Sequence, residues 1–301
     1  MHVGIVINPI AGRRGHRSGE AERRRTFTQA RADAAGVSAT IAMTEARGHA
    51  RELAQRFVDA GCDTVIAMGG DGTINEVAQA LIGTAIPLGI LPCGSGDGFA
   101  TGLGLTTDLE QSMQIALTAK PVAIDVGHAG DRIFLNVAGV GFDAEVAHQF
   151  AKRSTRGLMG YVQTGTRLAW SYTPPEYEVR WQAGEIEEVR RGQKLLLGFA
   201  NGPTYGNKAV LAPDASFRDG QLDMVLVSSG GALRQVWRAR RLFFNQRRPT
   251  AGIERIRVAS ATVRAVPLLG HIDGEPFESS GQLEIGVHPK ALWVRPGRLN
   301  L

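Results

Sequence analysis

Residues 69–73, G-G-D-G-T, form a glycine-rich turn between an apolar run and a segment whose apolar residues have helical spacing. Unpaired N–H groups at a helix start favour a bound anion, and glycines let the main chain approach it. The turn therefore predicts a phosphate site, although it lacks the lysine of G-x-x-x-x-G-K-[ST] loops. Asp71 would repel a bare phosphate, so we expect a divalent cation or a water network between them. An ordinary D-G turn is the alternative interpretation.

A second glycine cluster, L-P-C-G-S-G-D-G-F-A, occupies residues 91–100 and also follows a short apolar run. One such loop is a weak signal. Two loops, each at the carboxyl end of a predicted parallel strand, can converge on one ligand. The pair of clusters thus predicts a ligand site at that edge of a sheet.

The elements that would position these turns alternate between strand and helix. Strand-like runs occur at residues 2–7, 37–44, 65–68 and 86–92, and helical patterns at residues 20–35, 47–60 and 73–81. This order predicts a parallel sheet with helices on both faces. Thr73 and Glu76 match a T-x-x-E capping box, which predicts that the third helix begins at Thr73.

The pattern changes after residue 125. Alternating apolar segments bounded by turn residues follow one another, which predicts a second domain of mainly antiparallel sheet. Two helical patterns interrupt it, at residues 157–172 and 232–244. We therefore expect an α/β domain over residues 1–125 and a mainly β domain over residues 126–289.

The composition narrows the class of protein. A chain of 301 residues with 43% hydrophobic residues is too apolar to be disordered and is long enough for two domains. Its formal net charge of +5 favours anionic surfaces or phosphorylated ligands. With 6% aromatic residues and no nucleic-acid-binding motif, we expect no nucleic-acid partner. The two cysteines, the lack of a membrane-length apolar run and an N-terminus unlike a signal peptide predict a cytoplasmic protein.

Together, the two glycine clusters resemble the catalytic domain of the diacylglycerol and sphingosine kinase family, especially its soluble bacterial lipid kinases. The resemblance continues in N-P-I-A-G at residues 8–12, F-L-N-V-A-G-V-G-F-D-A-E-V at 134–146, L-A-P-D-A-S-F-R-D-G-Q-L-D at 211–223 and I-D-G-E at 272–275. NAD kinases and phosphofructokinases also carry G-G-D-G-T. The G-x-L-G-F loop and the T-G-S-T-A-Y segment of NAD kinases are not found in this sequence.

The resemblance implies an ATP-dependent kinase with two domains. The first would be a nucleotide-binding α/β domain of the NAD-kinase and phosphofructokinase type, rejoined by residues 290–301, and the second a β-sandwich that takes a lipid. The positions that match the family's nucleotide-binding residues are Asn8, Pro9, Ile10, Ala11, Gly12, Thr44, Gly69, Gly70, Asp71, Gly72, Thr73, Ile74, Asn75 and Ser95.

One loop departs from the family pattern G-T-x-N-D-F-A-R. Here Asp97 replaces the asparagine, Gly98 the aspartate and Thr101 the arginine, while Ser95 keeps the hydroxyl. Substrate choice and metal geometry are therefore left open.

The same resemblance assigns the catalytic carboxylate and the metal. Asp273 matches the family's general base, with Glu275 as a helper that orients water or metal. By pattern alone, Asp273-Gly274 between two strand-like runs is a hairpin turn. The implied magnesium ligands are the carboxylate of Asp219 and the carbonyls of Ser216 and Gln221, in addition to Asp71. From the residues alone, that segment is a turn before a strand. His271 is predicted to be a surface or packing histidine.

We therefore predict a Mg²⁺- and ATP-dependent kinase that phosphorylates a hydroxyl of a diacylglycerol-like or sphingoid-like lipid. A kinase of a soluble alcohol such as NAD is one alternative. A catalytically inactive nucleotide- or lipid-binding regulator is the other, suggested by the altered Asp97-Gly98 pair.

Residues 232–248 combine six arginines with large apolar side chains, among them Leu233, Val236, Trp237, Phe243 and Phe244. This pattern is typical of a basic amphipathic helix that lies on an anionic membrane, here the inner membrane face, or packs on its own domain. Trp170 is a weaker candidate for membrane contact, and a homodimer is left open.

Overall fold

The computed structural model describes residues 1–12, 17–151, 165, 168, 172–206, 209–231, 238 and 250–297. The chain divides into two compact units. The first contains Met1–Ile124 together with Lys290–Leu301, and the second contains Asp125–Pro289.

The first unit alternates strand and helix. Its elements are β1 His2–Ile7, α1 Glu20–Ala34, β2 Ser38–Met43, α2 His49–Asp59, β3 Thr64–Gly69, α3 Asp71–Leu81, β4 Leu88–Pro92, α4 Gly98–Gly102 and α5 Leu109–Thr118. The strands pair in parallel in the order β2–β1–β3–β4. The predicted parallel α/β fold is confirmed.

Alternation along β1 explains how helices cover both faces of this sheet, because successive side chains of a strand point to opposite faces. Val3, Ile5 and Ile7 are fully buried in a cluster that includes Met113 of α5. On the other face, a side chain at Gly4 would overlap the ring of Phe57 in α2. The absence of a Cβ at that position lets α2 pack directly on the strand.

The predicted capping box is wrong. Helix α3 begins at Asp71, with Gly70 as its N-cap and no side-chain cap. The Glu76 carboxylate instead accepts the N–H groups of Gly48 at 2.9 Å and Ala50 at 3.2 Å. Glu76 therefore caps a helix, but that helix is α2, which a local sequence pattern cannot reveal.

The second unit is mainly antiparallel. The remaining elements are β5 Val122–Ala129, β6 Arg132–Phe134, β7 Val137–Gly141, α6 Phe142–Ala151, β8 Glu176–Ala183, β9 Ile186–Ala200, β10 Thr204–Gly206, β11 Ala209–Val210, β12 Leu222–Ser228, β13 Ile253–Val258, β14 Ser260–Arg264, β15 Leu268–Ile272, β16 Glu275–Ser279 and β17 Gln282–Val294. Strand β17 ends in the first unit, where Val294 pairs in parallel with Leu88 of β4.

Strand β9 takes part in both sheets of this unit. Its first half pairs with β8, which leads through β14 to β17. Its second half lies between β7 and β12, and β7 leads through β15 to β16. Side chains from both sheets share one core, among them Trp181, Val263, Ile285, Phe199, Met224 and Ile272. The predicted β-sandwich is confirmed.

The helical patterns at 157–172 and 232–244, Trp170 and the basic segment 232–248 lie outside the described residues, apart from single positions. Within the described ranges, none of the helices has the length and apolar character needed to cross a membrane.

Candidate active site

The nucleotide-binding positions predicted in the first unit all lie where parallel strands end. Residues 8–12 follow β1, Thr44 follows β2, residues 69–75 span the end of β3 and the start of α3, and Ser95 follows β4. Main-chain hydrogen bonds join these ends, from the Thr44 N–H to the Ile7 carbonyl at 2.9 Å and from the Cys93 N–H to the Gly69 carbonyl at 2.8 Å. One edge of the sheet therefore carries all of them, the edge at which open α/β sheets bind ligands.

Asn8 connects the N-P-I-A-G loop (residues 8–12) to the start of α3. Its side-chain N–H donates to the Thr73 hydroxyl at 2.9 Å, and its side-chain oxygen accepts the Ile10 N–H at 3.1 Å. Ala11 is buried, whereas Ile10 at the tip of the loop is 58% exposed. The asparagine thus fixes the loop beside the G-G-D-G-T turn.

Glycines let the loops pack main chain against main chain. Gly12 has φ +67°, and a Cβ there would overlap the carbonyl oxygen of Cys93. A Cβ on Gly70 would lie 3.2 Å from the Cα of Gly94. Larger residues at these positions would push apart the three loops that end β1, β3 and β4.

Asp71 has a structural partner that the sequence did not suggest. Its carboxylate accepts the N–H groups of Gly98 and Phe99, each at 3.3 Å, at the start of α4. Asp71 therefore joins the G-G-D-G-T turn to the C-G-S-G-D-G loop (residues 93–98). This contact accounts for an acidic residue at the tip of the turn whether or not a ligand is bound.

Asp97 forms an acidic pair with Asp71. It is buried, has the left-handed backbone angle φ 45°, and accepts the Gly94 N–H at 2.9 Å. Burial, and secondly the negative charge of Asp71, raise the pKa of Asp97 from 3.8 to about 7. In the sequence, Asp97 is visible only as a departure from the family pattern. The D-G pair is the local signal for its left-handed backbone angle, because both residue types tolerate such angles.

A hydrated magnesium ion fits this acidic pair, because a cation would favour the ionised form of Asp97, which burial and secondly the charge of Asp71 disfavour. Among the residues that the structure describes, no three or more His, Cys, Asp or Glu side chains are grouped to hold a metal. Magnesium is commonly held by one or two carboxylates with waters and substrate phosphates. The donor set at Asp71 and Asp97 agrees with that mode of binding.

Asp273 lies in the second unit, in the hairpin turn between β15 and β16 that the D-G pattern predicts. Asp273 has φ 48° and Gly274 has φ 85°, as a two-residue hairpin loop requires. The Asp273 carboxylate accepts three main-chain N–H groups, from Leu135 at 2.9 Å and from Asn136 and Val137 at 3.0 Å each. The start of β7 therefore fixes this side chain, whereas Glu275 is exposed.

The predicted magnesium ligands of the second unit lie in the turn before β12. The Asp219 carboxylate accepts the Gln221 N–H at 3.1 Å, and the Ser216 hydroxyl accepts the Arg218 N–H at 3.3 Å. Burial raises the pKa of nearby Asp223 to about 6, with Arg257 opposing the shift. Ser216, Asp219 and Gln221 thus lie in one turn, in a part of the sequence far from Asp71.

His271, two residues before Asp273, belongs to a buried polar cluster. The His271 ring nitrogen Nε2 is 2.8 Å from the Asp143 carboxylate and 3.0 Å from the Tyr205 hydroxyl. His271 is 1% exposed, so it is a packing histidine rather than a surface one. Residues 143, 205 and 271 are far apart in sequence, and no local pattern predicts their contact.

Two family matches cover most of the chain. Residues 2–129 match the diacylglycerol kinase catalytic domain, and residues 136–300 match the YegS C-terminal NAD kinase beta sandwich-like domain. The chain belongs to this lipid kinase family. A "Probable lipid kinase YegS-like" of Chromohalobacter salexigens is 36% identical over 208 residues, which cover 67% of this chain and 66% of the relative. One of an Enterobacter species is 30% identical over 270 residues, covering 86% and 87%.

Solved structures share the fold of this family member. A diacylglycerol kinase from Bacillus anthracis superposes with a TM-score of 0.73 at 18% identity and covers 100% of this chain and 98% of its own. Another protein of that organism reaches a TM-score of 0.78 at 22% identity, with the same coverage. At these identities the likeness concerns the fold alone.

Family membership confirms the predicted enzyme class. The chain is a kinase, a phosphotransferase with an alcohol acceptor, and its family implies ATP as the co-substrate and a lipid as the substrate. The acceptor lipid, the metal and the roles of individual residues belong to the proposal below.

Proposed function

We propose that this kinase transfers the γ-phosphoryl group of ATP to a hydroxyl of a diacylglycerol-like or sphingoid-like lipid. The observation that carries the proposal is the convergence of three glycine-containing loops at one edge of the parallel sheet, beside the start of α3. Main-chain N–H groups in such a position bind phosphate. The family matches support the lipid as acceptor.

In the first unit, the proposed nucleotide site consists of the N-P-I-A-G loop, Thr44, the turn and helix start at residues 69–75, and Ser95. Asp71 and Asp97 would hold a hydrated magnesium ion. Bound there, magnesium would neutralise negative charge on the phosphate oxygens as they react. With magnesium bound, Asp71 and Asp97 would thus favour the binding of ATP, whereas the two carboxylates alone would repel the triphosphate.

In the second unit, we propose that Asp273 accepts the proton of the lipid hydroxyl. Three main-chain donors hold its carboxylate in one orientation. Phosphoryl transfer depends more on positioning than on strong proton abstraction, so a carboxylate held in one orientation suits the task. Glu275, two residues further on, is proposed to orient water.

The turn with Ser216, Asp219 and Gln221 is proposed as a second magnesium site. Its one side-chain carboxylate and two carbonyl groups suit magnesium, which keeps several waters. Replacing Asp219 by asparagine should raise the magnesium concentration needed for half-maximal activity without changing the KM for ATP at saturating magnesium. An unchanged magnesium requirement would remove this site.

The acceptor is tested with ATP radiolabelled at its γ-phosphate and a panel of acceptors in mixed micelles. Diacylglycerol and sphingosine represent the two lipid classes, and NAD represents a soluble alcohol. Label in a lipid product supports the proposal. Label in NAD instead would make the protein a soluble-alcohol kinase, and intact ATP binding without transfer would make it a regulator.

We further infer that the protein is cytoplasmic and contacts anionic membranes peripherally through the arginine-rich segment 232–248. Its six arginines and apolar side chains support this inference. Sedimentation with phosphatidylglycerol vesicles should exceed sedimentation with phosphatidylcholine vesicles and should fall with added salt. Equal sedimentation with both lipids would contradict the inference.

A further inference from the structure

Arg24 in α1 is a buried cation whose guanidinium binds the N-P-I-A-G loop. It is 5% exposed. One terminal nitrogen donates to the Asn8 carbonyl at 2.7 Å and the other to the Ala11 carbonyl at 2.9 Å. Its Nε lies 3.2 Å from the Glu20 carboxylate. All three guanidinium nitrogens therefore have partners, and two of the partners are carbonyls of the proposed nucleotide site.

Packing alone does not explain an arginine at this position. The buried residues of α1 are Arg24, Thr28 and Ala32, spaced at four residues along one face. A leucine or methionine would fill such a position without the desolvation penalty of a buried charge. Arginine differs from both in its planar, charged fork, which can hold two acceptors in a fixed relation. The fork is the property that the loop uses.

The contact with Ala11 determines the direction of the next N–H group. The peptide between Ala11 and Gly12 is trans, because the only cis bond in the described residues precedes Pro267. The C=O and N–H of a trans peptide point in opposite directions. Since the Ala11 carbonyl points to Arg24, the Gly12 N–H points away from it. At the other end of the loop, Asn8 holds Thr73.

We propose that Arg24 is a positioning residue for the nucleotide. It holds the carbonyls of Asn8 and Ala11 on the side of α1, so that the loop presents the Gly12 N–H, rather than these two carbonyl oxygens, to the phosphates of ATP. This inference rests on the proposed function. It assigns to α1 a role in phosphate binding that the loop sequence alone does not indicate.

The test compares Arg24→Met with two neighbouring variants. Methionine keeps an unbranched side chain but removes the fork. Arg23→Gln is the matched control, because the Arg23 side chain is 70% exposed and its distance to the Glu20 carboxylate, 3.8 Å, is too long for a hydrogen bond. Glu20→Gln removes the Arg24 salt bridge but leaves both carbonyl contacts. Calorimetry measures the Kd for ATP and for adenosine, which has no phosphates, and kinetics measure the KM for ATP and for the lipid.

We expect Arg24→Met to weaken ATP binding about tenfold, which is the effect of losing roughly one charge-assisted hydrogen bond. Adenosine binding and the KM for the lipid should change less than twofold. Arg24→Lys should fall between Arg24→Met and the wild type, because a point charge reaches one carbonyl better than two. Arg23→Gln and Glu20→Gln should resemble the wild type. Thermal unfolding of each variant shows whether it is folded at the temperature of measurement.

Two outcomes would overturn the inference alone. Wild-type ATP affinity in a folded Arg24→Met or Arg24→Lys variant would show that the fork does not act on the phosphates. A parallel loss of ATP and adenosine binding would make Arg24 a general structural residue. If the wild-type chain binds no ATP, both the proposed function and this inference are wrong. The wild-type measurement therefore separates failure of the proposed function from failure of this inference alone.

Discussion

The two units hold their proposed functional carboxylates in opposite ways. In the first unit, buried Asp97 lies near the negative charge of Asp71 and accepts the main-chain N–H of Gly94. In the second unit, Asp273 accepts three main-chain N–H groups. A carboxylate crowded by another carboxylate is prepared for a cation, whereas one surrounded by N–H donors is fixed in orientation. The same side chain can therefore serve metal binding or positioning, according to its neighbours.

Replacing Asp273 by asparagine is expected to have the largest effect on the enzyme. The amide keeps much of the shape but cannot accept a proton, so kcat should fall about 10³-fold, within the range of general base catalysis. The Kd for ATP should stay nearly unchanged, because the residue lies outside the first unit. Steady-state kinetics and calorimetry measure the two quantities. Glu275→Gln serves as control, with a smaller expected loss, and full turnover by Asp273→Asn would remove this residue as the base.

The acidic pair can be tested through the pH dependence of stability in the absence of metal. The pKa of Asp97 is about 7 in the folded chain, against an ordinary value of 3.8. Between these values the folded state binds the proton more tightly than the unfolded state, so the free energy of unfolding falls as pH rises. One pKa unit corresponds to about 1.4 kcal/mol, so the loss from pH 4 to pH 8 is at most roughly 4 kcal/mol.

Urea unfolding of the wild type and of Asp97→Asn across this range measures that effect. The asparagine variant should lack this contribution and become the more stable of the two at pH 8, provided its side-chain oxygen still accepts the Gly94 N–H. Added magnesium should reduce the difference by stabilising the ionised pair. If the free energy of unfolding changes with pH in the same way for both proteins, the pKa of Asp97 is not raised. The argument that the acidic pair favours a bound cation would then be wrong as well.

Asp71→Asn tests the other carboxylate of the acidic pair. Removing this charge should weaken magnesium-dependent ATP binding about 10- to 100-fold, the range seen when groups that support a metal site are replaced. It should also lower the pKa of Asp97, since Asp71 contributes to its rise. Calorimetry with and without magnesium separates the two effects. A variant whose ATP affinity still rises with magnesium as in the wild type would exclude Asp71 from the metal site.

The first unit was more predictable from sequence than the second because its site is assembled from short loops. Strand, turn and helix starts follow one another locally, so the glycine clusters at residues 69–73 and 91–100 indicate directly which loops meet at one edge of the sheet. The donors to Asp273 come from residues 135–137, which only the pairing of β7 with β15 brings near. The cluster of Asp143, Tyr205 and His271 depends on the same tertiary pairing.

Even in the first unit, side-chain partners were harder to predict than backbone positions. The sequence shows that Asp71 lies in the glycine-rich turn, but its contact with Gly98 and Phe99 joins two loops whose register the sequence does not state. Arg24 lies in a helix that resembles a solvated charged segment, and its burial follows from the path of the N-P-I-A-G loop. Short patterns predict which loops meet, and packing decides which side chains hold them.

Glu76 offers the mildest test of that distinction. Its carboxylate receives the Gly48 and Ala50 N–H groups at the start of α2, so Glu76→Gln should lower the free energy of unfolding by about 1 kcal/mol through loss of a charged cap. Thermal and urea unfolding measure the change. Glu52→Gln, an exposed acid in the first turn of α2, is the control and should have a smaller effect. If the local T-x-x-E pattern acted instead, Glu76→Gln would speed hydrogen exchange at the start of α3 and leave the exchange of Gly48 and Ala50 unchanged. Faster exchange at those two amides in Glu76→Gln, with α3 unaffected, is the result that the tertiary contact requires.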